Sequence, residues 1–271
     1  MLATVRVVAL LAAYDEERFI ANCIEHHAAH GIETYLIDNE STDATVEIAE
    51  RYRGRGLAGL ETFPRSGSYR WLGLLARKAE LASTLEADWF LHVDADELRL
   101  PPHSRVTLSE ALVAADREGY NAVNFLELTF VPTLEEPVHD HPRYVETMRR
   151  YYAFLPVFPH RLNAWKRQDG PVDLVTHGGH RVEFPGLRMY PESFPMRHYL
   201  FLSIEHAKRK YVERRYDAAE VEGGWHRKRA ALREEDLALV SGSELREFVS
   251  DDRLDTSDPL TEHPLFAGVR V

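Results

Sequence analysis

The sequence predicts an α/β protein built on a doubly wound sheet with flanking helices. Three observations carry this. Apolar strands and helical segments alternate four times in the first hundred residues. The segment 5–12 is β-branched and aliphatic apart from Arg6, as a central parallel strand covered on both faces should be. The connections between these segments are short.

The elements follow in order. Strand 5–12 leads into a helical pattern over 16–31, with Phe19, Ile20, Cys23, Ile24 and His27 on one stripe and Gly31 as its stop. Residues 34–37 form a second short strand, residues 38–43 a polar turn, and 45–52 another helix. Residues 57–63 give a third strand, and 71–85 a Leu- and Ala-rich helix. A fourth strand, 87–93, runs directly into Asp94-Ala95-Asp96-Glu97. Helix 109–117 and strand 122–130 come next. Residues 131–195 are rich in Pro, His and aromatics and promise only short strands. Residues 203–221 form a basic helical pattern broken by Gly223-Gly224, and 225–239 resumes as a helix. The organisation is therefore a domain over residues 1–200 and a helical C-terminal extension over 201–271. Ligands of such sheets bind beyond the carboxyl ends of the strands, so Tyr14, Asp38 and Asp94 should converge on one crevice.

Bulk properties narrow the function classes. The 271 residues are 44% apolar and carry a formal charge of −11, which argues against nucleic acid or an anionic membrane as a long-range partner. A phosphate-bearing ligand would need a local metal ion or arginine. The single cysteine, Cys23, permits no intrachain disulfide and no cysteine-based zinc site, and it reads as a buried apolar residue. This fits a reducing, cytoplasmic setting. The apolar run at the start is short, ends in Asp15-Glu16-Glu17 and reads as a strand, not a signal peptide. No stretch reaches the ~18 apolar residues that a membrane span needs.

The chemistry concentrates at His92-Val93-Asp94-Ala95-Asp96-Glu97. Two carboxylates one residue apart at a strand end can both face a divalent cation. Hard ions such as Mn²⁺ or Mg²⁺ prefer oxygen ligands, and diphosphate oxygens would complete the shell. Without a counter-ion, three acids in four residues would repel one another. Arg70, in a loop beside Tyr69 and Trp71, is the best cation for a phosphate; Arg77 and Lys78 sit in helical register and read as a solvated face. His26 and His30, four apart on a scaffold helix, read as structural. The basic residues between Lys208 and Arg215 read as a solvated helix face.

The chain resembles a family 2 glycosyltransferase of the branch with an Asp-x-Asp-Glu motif and a later His-Tyr motif. Four passages carry the likeness: Ala12-Ala13-Tyr14-Asp15-Glu16, Ile37-Asp38-Asn39-Glu40-Ser41-Thr42-Asp43, Trp89 through Glu97, and Arg197-His198-Tyr199. It covers residues 5–130 well and the rest through His198-Tyr199. It implies a GT-A-like doubly wound mixed sheet. It also implies metal-assisted, inverting transfer of a sugar from a nucleotide-diphosphate donor, UDP-linked, to an acceptor hydroxyl on a glycan, a lipid-linked or a small molecule. Ala12 and Tyr14 would then line the nucleobase and ribose pocket, and Asp38 would bind the base. Asp94 would lie near ribose and metal, Asp96 would ligate the metal, and His198 would be its third protein ligand, with His180 of His177-Gly178-Gly179-His180 as the alternative. Asp43 reads as a helix cap. The base that activates the acceptor falls among Glu127, Asp169, Asp173 and Glu183, with Asp173 preferred. Two other classes stay open: a nucleotidyltransferase, though no Gly-rich basic loop follows strand one, and a non-enzymatic nucleotide- or sugar-binding module. A haloacid dehalogenase-type phosphatase would carry its Asp-x-Asp after the first strand instead of the fourth.

Overall fold

A computed structural model describes residues 5–265; residues 1–4 and 266–271, which the expected domain bounds include, lie outside the described residues. The first half follows the expected alternation. Strand β1 (Val7–Ala13), helix α1 (Ile20–Ala29), β2 (Ile32–Asp38), α2 (Thr45–Glu50), β3 (Leu57–Thr62), α3 (Trp71–Thr84) and β4 (Trp89–Val93) come in turn. A three-residue strand, β5 (Glu97–Arg99), helix α4 (Leu108–Arg117) and the long β6 (Ala122–Phe130) complete it.

The pattern of β1 shows why this half is doubly wound. Val7, Ala9, Leu11 and Ala13 point into one core, where Phe19, Cys23 and Ile24 of α1 and Leu108 and Leu112 of α4 pack. Val8 and Leu10 point into the other core, against Trp71, Leu74 and Leu75 of α3. Both faces of the strand are thus removed from water, and the near-continuous aliphatic run is the sequence record of that. β1 pairs in parallel with β2 and β4, and β2 with β3. Gly31, at φ 72°, ends the first crossover as a left-handed stop. Thr107 and Glu110 form a reciprocal capping box that starts α4.

The second half turns the sheet mixed. After α5 (Tyr144–Thr147), β7 (Arg150–Phe154) and β8 (Arg161–Lys166) join antiparallel, giving the order β7-β6-β8-β4-β1-β2-β3. β9 (Phe194–Tyr199) lies parallel to β6 and antiparallel to β5. That register sets His198 opposite Glu97 and lets the Tyr199 amide donate to the Asp96 carbonyl at 2.9 Å. The mixed α/β architecture expected from the sequence is the one observed.

The C-terminal extension corrects one expectation. Two long helices were expected over 203–221 and 225–239. Residues after β9 instead form α6 (Ile204–Ala207), a wide helical turn over Lys208–Val212, α7 (Ala218–Glu222) and two three-residue turns at 229–231 and 234–236. The physical reason is the loss of an apolar stripe. Ala207 and Tyr211 are buried one turn apart, but Arg214 and Arg215 occupy the next turn. Backbone bonds to Tyr69 then hold the chain extended: the Tyr69 amide donates to the Arg215 carbonyl, and the Asp217 amide donates to that of Tyr69. Asp217 caps α7 through the amides of Ala219 and Glu220. Beyond it, β10 (Arg246–Glu247) pairs with β7, so this region is woven onto the sheet. Among the described residues no helix is long and apolar enough to cross a membrane.

Candidate active site

The carboxyl ends of β1, β2 and β4 open on a cavity of about 450 Å³. Ala12, Ala13 and Tyr14 line it from β1, Asn39 from the turn after β2, and His92, Asp94, Ala95 and Asp96 from β4. Three strand ends meet there because their register is parallel, with Ala13 opposite Asp38 and Leu11 opposite Val93.

Asp96 is the most strongly held acid of the site. Its Oδ2 accepts from the Lys210 ammonium and lies 3.3 Å from His198 Nε2. Although it is buried, Lys210 and His198 hold its carboxyl well below the usual carboxylate range. Asp94 is pushed the other way, by burial and by the charges of Glu97 and Asp96. Glu97 itself turns back, accepting from the Asp94 amide at 3.1 Å and pairing with Arg99 at 2.9 Å. The acidic triplet therefore splits: Glu97 braces the turn, and Asp94 and Asp96 face the cavity.

His198 meets Asp96, as expected. Its Nδ1 lies 2.6 Å from Glu127 Oε1, so both ring nitrogens face carboxylates. Burial opposes the charge, yet Glu127 and Asp96 outweigh it, and the pKa is pushed up to about 9. Its partner Tyr199 is fully buried against Phe130 and Tyr144.

The alternative, His180, also lines the cavity, with Gly178 and Gly179 beside it. Arg161 donates to its Nδ1 at 3.3 Å, and burial with Arg161 holds the ring well below its usual pKa. With Nδ1 accepting that bond, the neutral ring carries its proton on Nε2. Both glycines have left-handed backbones, at φ 56° and 78°. A Cβ on Gly178 would stand 2.6 Å from Trp225, and one on Gly179 2.8 Å from His92 Nε2. The loop can lie this close to its neighbours only because it lacks side chains.

Three other expectations meet the structure differently. Asp173 does not reach the cavity. Its carboxylate closes a turn, accepting from the amides of Val175 and Thr176 and from the Thr176 hydroxyl, and it borders a separate apolar recess. Of the other acids weighed as the base, Glu127 is fully buried and locked by two bonds from Arg161 and one contact from His198. Glu183 pairs with His177. Arg70 is exposed at the start of α3 and does not line the cavity, whereas its neighbours Tyr69 and Trp71 do. Asp38 is buried and accepts from the Ser41 amide through both oxygens, an Asx-type turn; Asn39 beside it reaches the cavity. Asp43 bonds the Thr45 amide, as a cap should.

Several functional residues escaped the sequence. Lys78 is fully buried, not solvated, and donates to His92 Nδ1 and the Val93 carbonyl, each at 2.9 Å. Its position was readable: Trp71, Leu74, Leu75, Lys78, Leu81 and Ala82 form one helical stripe. Arg77, by contrast, pairs at the surface with Glu61 and Glu80, as expected. Arg65 stacks over the Tyr14 ring at 3.5 Å, and no local pattern announces it. Glu16 lines the cavity, and burial pushes its carboxyl up to about 8 against the pull of Lys210. His26 and His30 are structural, with His26 on the Arg99 carbonyl and His30 accepting from the Leu108 amide.

The donor chemistry of the cavity fits a divalent cation in part. Asp94 and Asp96 offer hard oxygens on one wall, and the crowding that raises Asp94 is relieved by positive charge. Among the described residues no three His, Cys, Asp or Glu side chains are placed to hold an ion. Asp94 and Asp96 would hold such an ion as a pair.

Residues 9–123 match the model of glycosyl transferase family 2, a stretch that holds three of the four passages from which the resemblance was read. The enzyme class expected, glycosyltransferase, is that of the matched family. No curated protein matches the chain. Among solved structures, S. aureus TarS is 14% identical, with 85% of this chain and 45% of that one covered at a TM-score of 0.42. S. aureus TarS 1-349 in complex with UDP is 13% identical, with 72% and 61% covered and a TM-score of 0.42. Glucosyl-3-phosphoglycerate synthase from Mycobacterium tuberculosis, in complex with Mn²⁺, UDP and phosphoglyceric acid, is 20% identical, with 46% and 44% covered and a TM-score of 0.34. The chain spans less than two thirds of the length of each.

Proposed function

We propose that the protein transfers a sugar from a nucleotide-diphosphate donor, UDP-linked, to an acceptor hydroxyl, with Asp94 and Asp96 at the centre of the reaction. The observation that carries this is the convergence of Tyr14, Asn39, Asp94 and Asp96 on one cavity at the ends of three parallel strands. The family match over residues 9–123 supports it.

In this reading the nucleoside lies toward Tyr14, whose ring is held by Arg65. Asp38 shapes the turn that presents Asn39. Asp94 and Asp96 would hold Mn²⁺ or Mg²⁺, which neutralises charge developing on the leaving diphosphate. Lys210 and His198 fix the orientation of Asp96, and Glu127 with Arg161 fixes His198. Arg214, facing the same cavity, meets phosphate charge from the other side. Among the described residues, Glu16 and Asp94 are the cavity acids without a side-chain ion pair. Glu16, tuned to about 8, takes the proton of the acceptor hydroxyl, and attack opposite the leaving group inverts the anomeric centre.

Turnover of UDP-sugars, followed as UDP release with and without Mn²⁺, tests the reading. Metal-stimulated release in the wild type, lost in Asp96→Asn, is expected. Equal release by both proteins would reject it.

A further inference from the structure

The C-terminal segment roofs the cavity and brings to it an unusual charge. Six cations line the space, Arg161, Lys210, Arg214, Arg227, Lys228 and Arg229, against three carboxylates, Glu16, Asp94 and Asp96. This runs against a chain whose overall charge is −11. Two of the cations are already matched: Lys210 by Asp96, and Arg161 by Glu127. Among the described residues, Arg214 and Arg229 have no such carboxylate. Both are half-buried, and their recorded partners are aromatic faces: Tyr69 at 4.8 Å for Arg214 and Tyr211 at 5.8 Å for Arg229. A guanidinium held over a ring keeps its fork of N–H donors directed at whatever enters.

The two arginines serve opposite ends. Arg214 also borders a recess shared with Tyr14 and Arg65, on the side where the nucleotide is placed. Arg229 does not border that recess; it lines the main cavity together with Tyr211, His180 and Gly179. His180 presents its Nε2–H, because Arg161 occupies Nδ1. Arg161 opens β8, and the His180 carbonyl accepts from the Leu162 amide of that strand, which lies on the far side of β4 from β1 and β2. One arginine suffices for the donor's diphosphate alongside the Asp94–Asp96 anchor. The second cation, with an N–H donor beside it, sits where the acceptor must approach.

We infer that Arg229, with His180, forms an acceptor subsite for an anionic group, so that the acceptor is a hydroxyl compound bearing a phosphate or a carboxylate. The inference rests on the glycosyltransferase reading and narrows its acceptor. A guanidinium pairs with either anion through two parallel N–H···O bonds, and an uncharged acceptor would leave it without a counter-charge in a half-closed space.

The test is calorimetric, on the full chain saturated with UDP and Mn²⁺. Glucose 6-phosphate, glucuronate and glucose are titrated separately, then repeated on R229Q. At least one anionic sugar should bind about tenfold or more tighter than glucose, and in R229Q that preference should shrink toward parity. Preference for glucose 6-phosphate alone names a phosphate acceptor, and preference for glucuronate alone a carboxylate. Equal binding of all three by the wild type, or an undiminished preference in R229Q, overturns the subsite. UDP titration of the unloaded wild type keeps the two readings separate: absence of UDP binding removes the donor site itself, whereas UDP binding without anion preference removes only the acceptor subsite. A thermal melt of R229Q superimposable on wild type guards against global damage, and H180A provides the second variant, expected to reduce the same preference.

Discussion

The cavity has two walls of opposite origin. The wall from β1, β2 and β4 is made by regular structure: buried parallel strands end together, and their terminal residues must share a crevice. The roof from residues 203–231 is made by short turns pinned to the first wall by individual contacts, such as Glu220 accepting from the Trp71 and Leu72 amides. The strand wall brings the carboxylates Asp94 and Asp96, and the roof brings Lys210, Arg214 and Arg229. In this fold the acids are placed by the architecture and the cations by what is draped over it.

The largest expected effect strikes the strand wall. Asp96→Asn keeps the side-chain volume and removes the charge that Lys210 and His198 share. Sugar transfer should fall by about 10²–10³-fold, the scale of losing one preorganised electrostatic contact. Asp96 is only 5% exposed, so Asp96→Ala should in addition destabilise the fold, by ~3 kcal/mol, by stranding buried cations. Chemical denaturation of both variants checks this; equal stability of Asp96→Ala and wild type would show that Lys210 and His198 find other partners.

A smaller effect should come from the junction of the two walls. Gly178→Ala puts a methyl 2.6 Å from Trp225 at a residue with φ 56°. The roof must shift, so KM should rise several-fold, with a stability loss of about 1–2 kcal/mol. Unchanged KM would mean that Trp225 already moves freely.

Glu16 sets a pH signature. If it accepts the acceptor's proton, kcat/KM should rise about tenfold per pH unit below about 8 and level off above it. Glu16→Gln should lower the rate and flatten that limb. A wild-type profile flat from pH 6 to 8 would remove Glu16 from the role.

How legible each wall was follows from the same contrast. The β-α alternation, the buried strands and the converging carboxylates are local patterns of period and strand end, and the sequence displays them. His198 was also legible, because β9 returns to β5 beside the acidic turn. Its charge state was not: that depends on Glu127, 71 residues away in sequence and hidden within an apolar strand. Lys78 lay on a readable stripe, but a lysine there defaults to the surface unless the neighbouring strand offers acceptors, as His92 and Val93 do. The roof failed as a helix prediction because its backbone partners sit on Tyr69, far away in the chain. Asp173 misled because a carboxylate that closes its own turn looks no different in sequence from one aimed at a ligand.

The smallest effect concerns stability rather than chemistry. Burial holds His26 and His206 neutral in the folded state, each down to about 3. The unfolded chain, at about 6.5, binds those protons first. Their contribution is therefore full above about pH 6.5 and is lost as the pH falls toward 3. His198 has the opposite sign: its pairing stabilises below about 6.5 and is lost as the pH rises through about 9. Tm should fall by a few degrees from pH 7 to 5, and His206→Gln should blunt that slope. An identical slope would place the acid sensitivity elsewhere.

The most direct measurement is calorimetric titration of UDP into wild type and Asp96→Asn, each with Mn²⁺ and with chelator. The account predicts binding to the wild type that Mn²⁺ strengthens about tenfold or more, and little or no metal enhancement in Asp96→Asn. Equal UDP affinity in all four titrations, or no UDP binding by the wild type, would contradict the placement of a nucleotide-diphosphate sugar at Asp94 and Asp96.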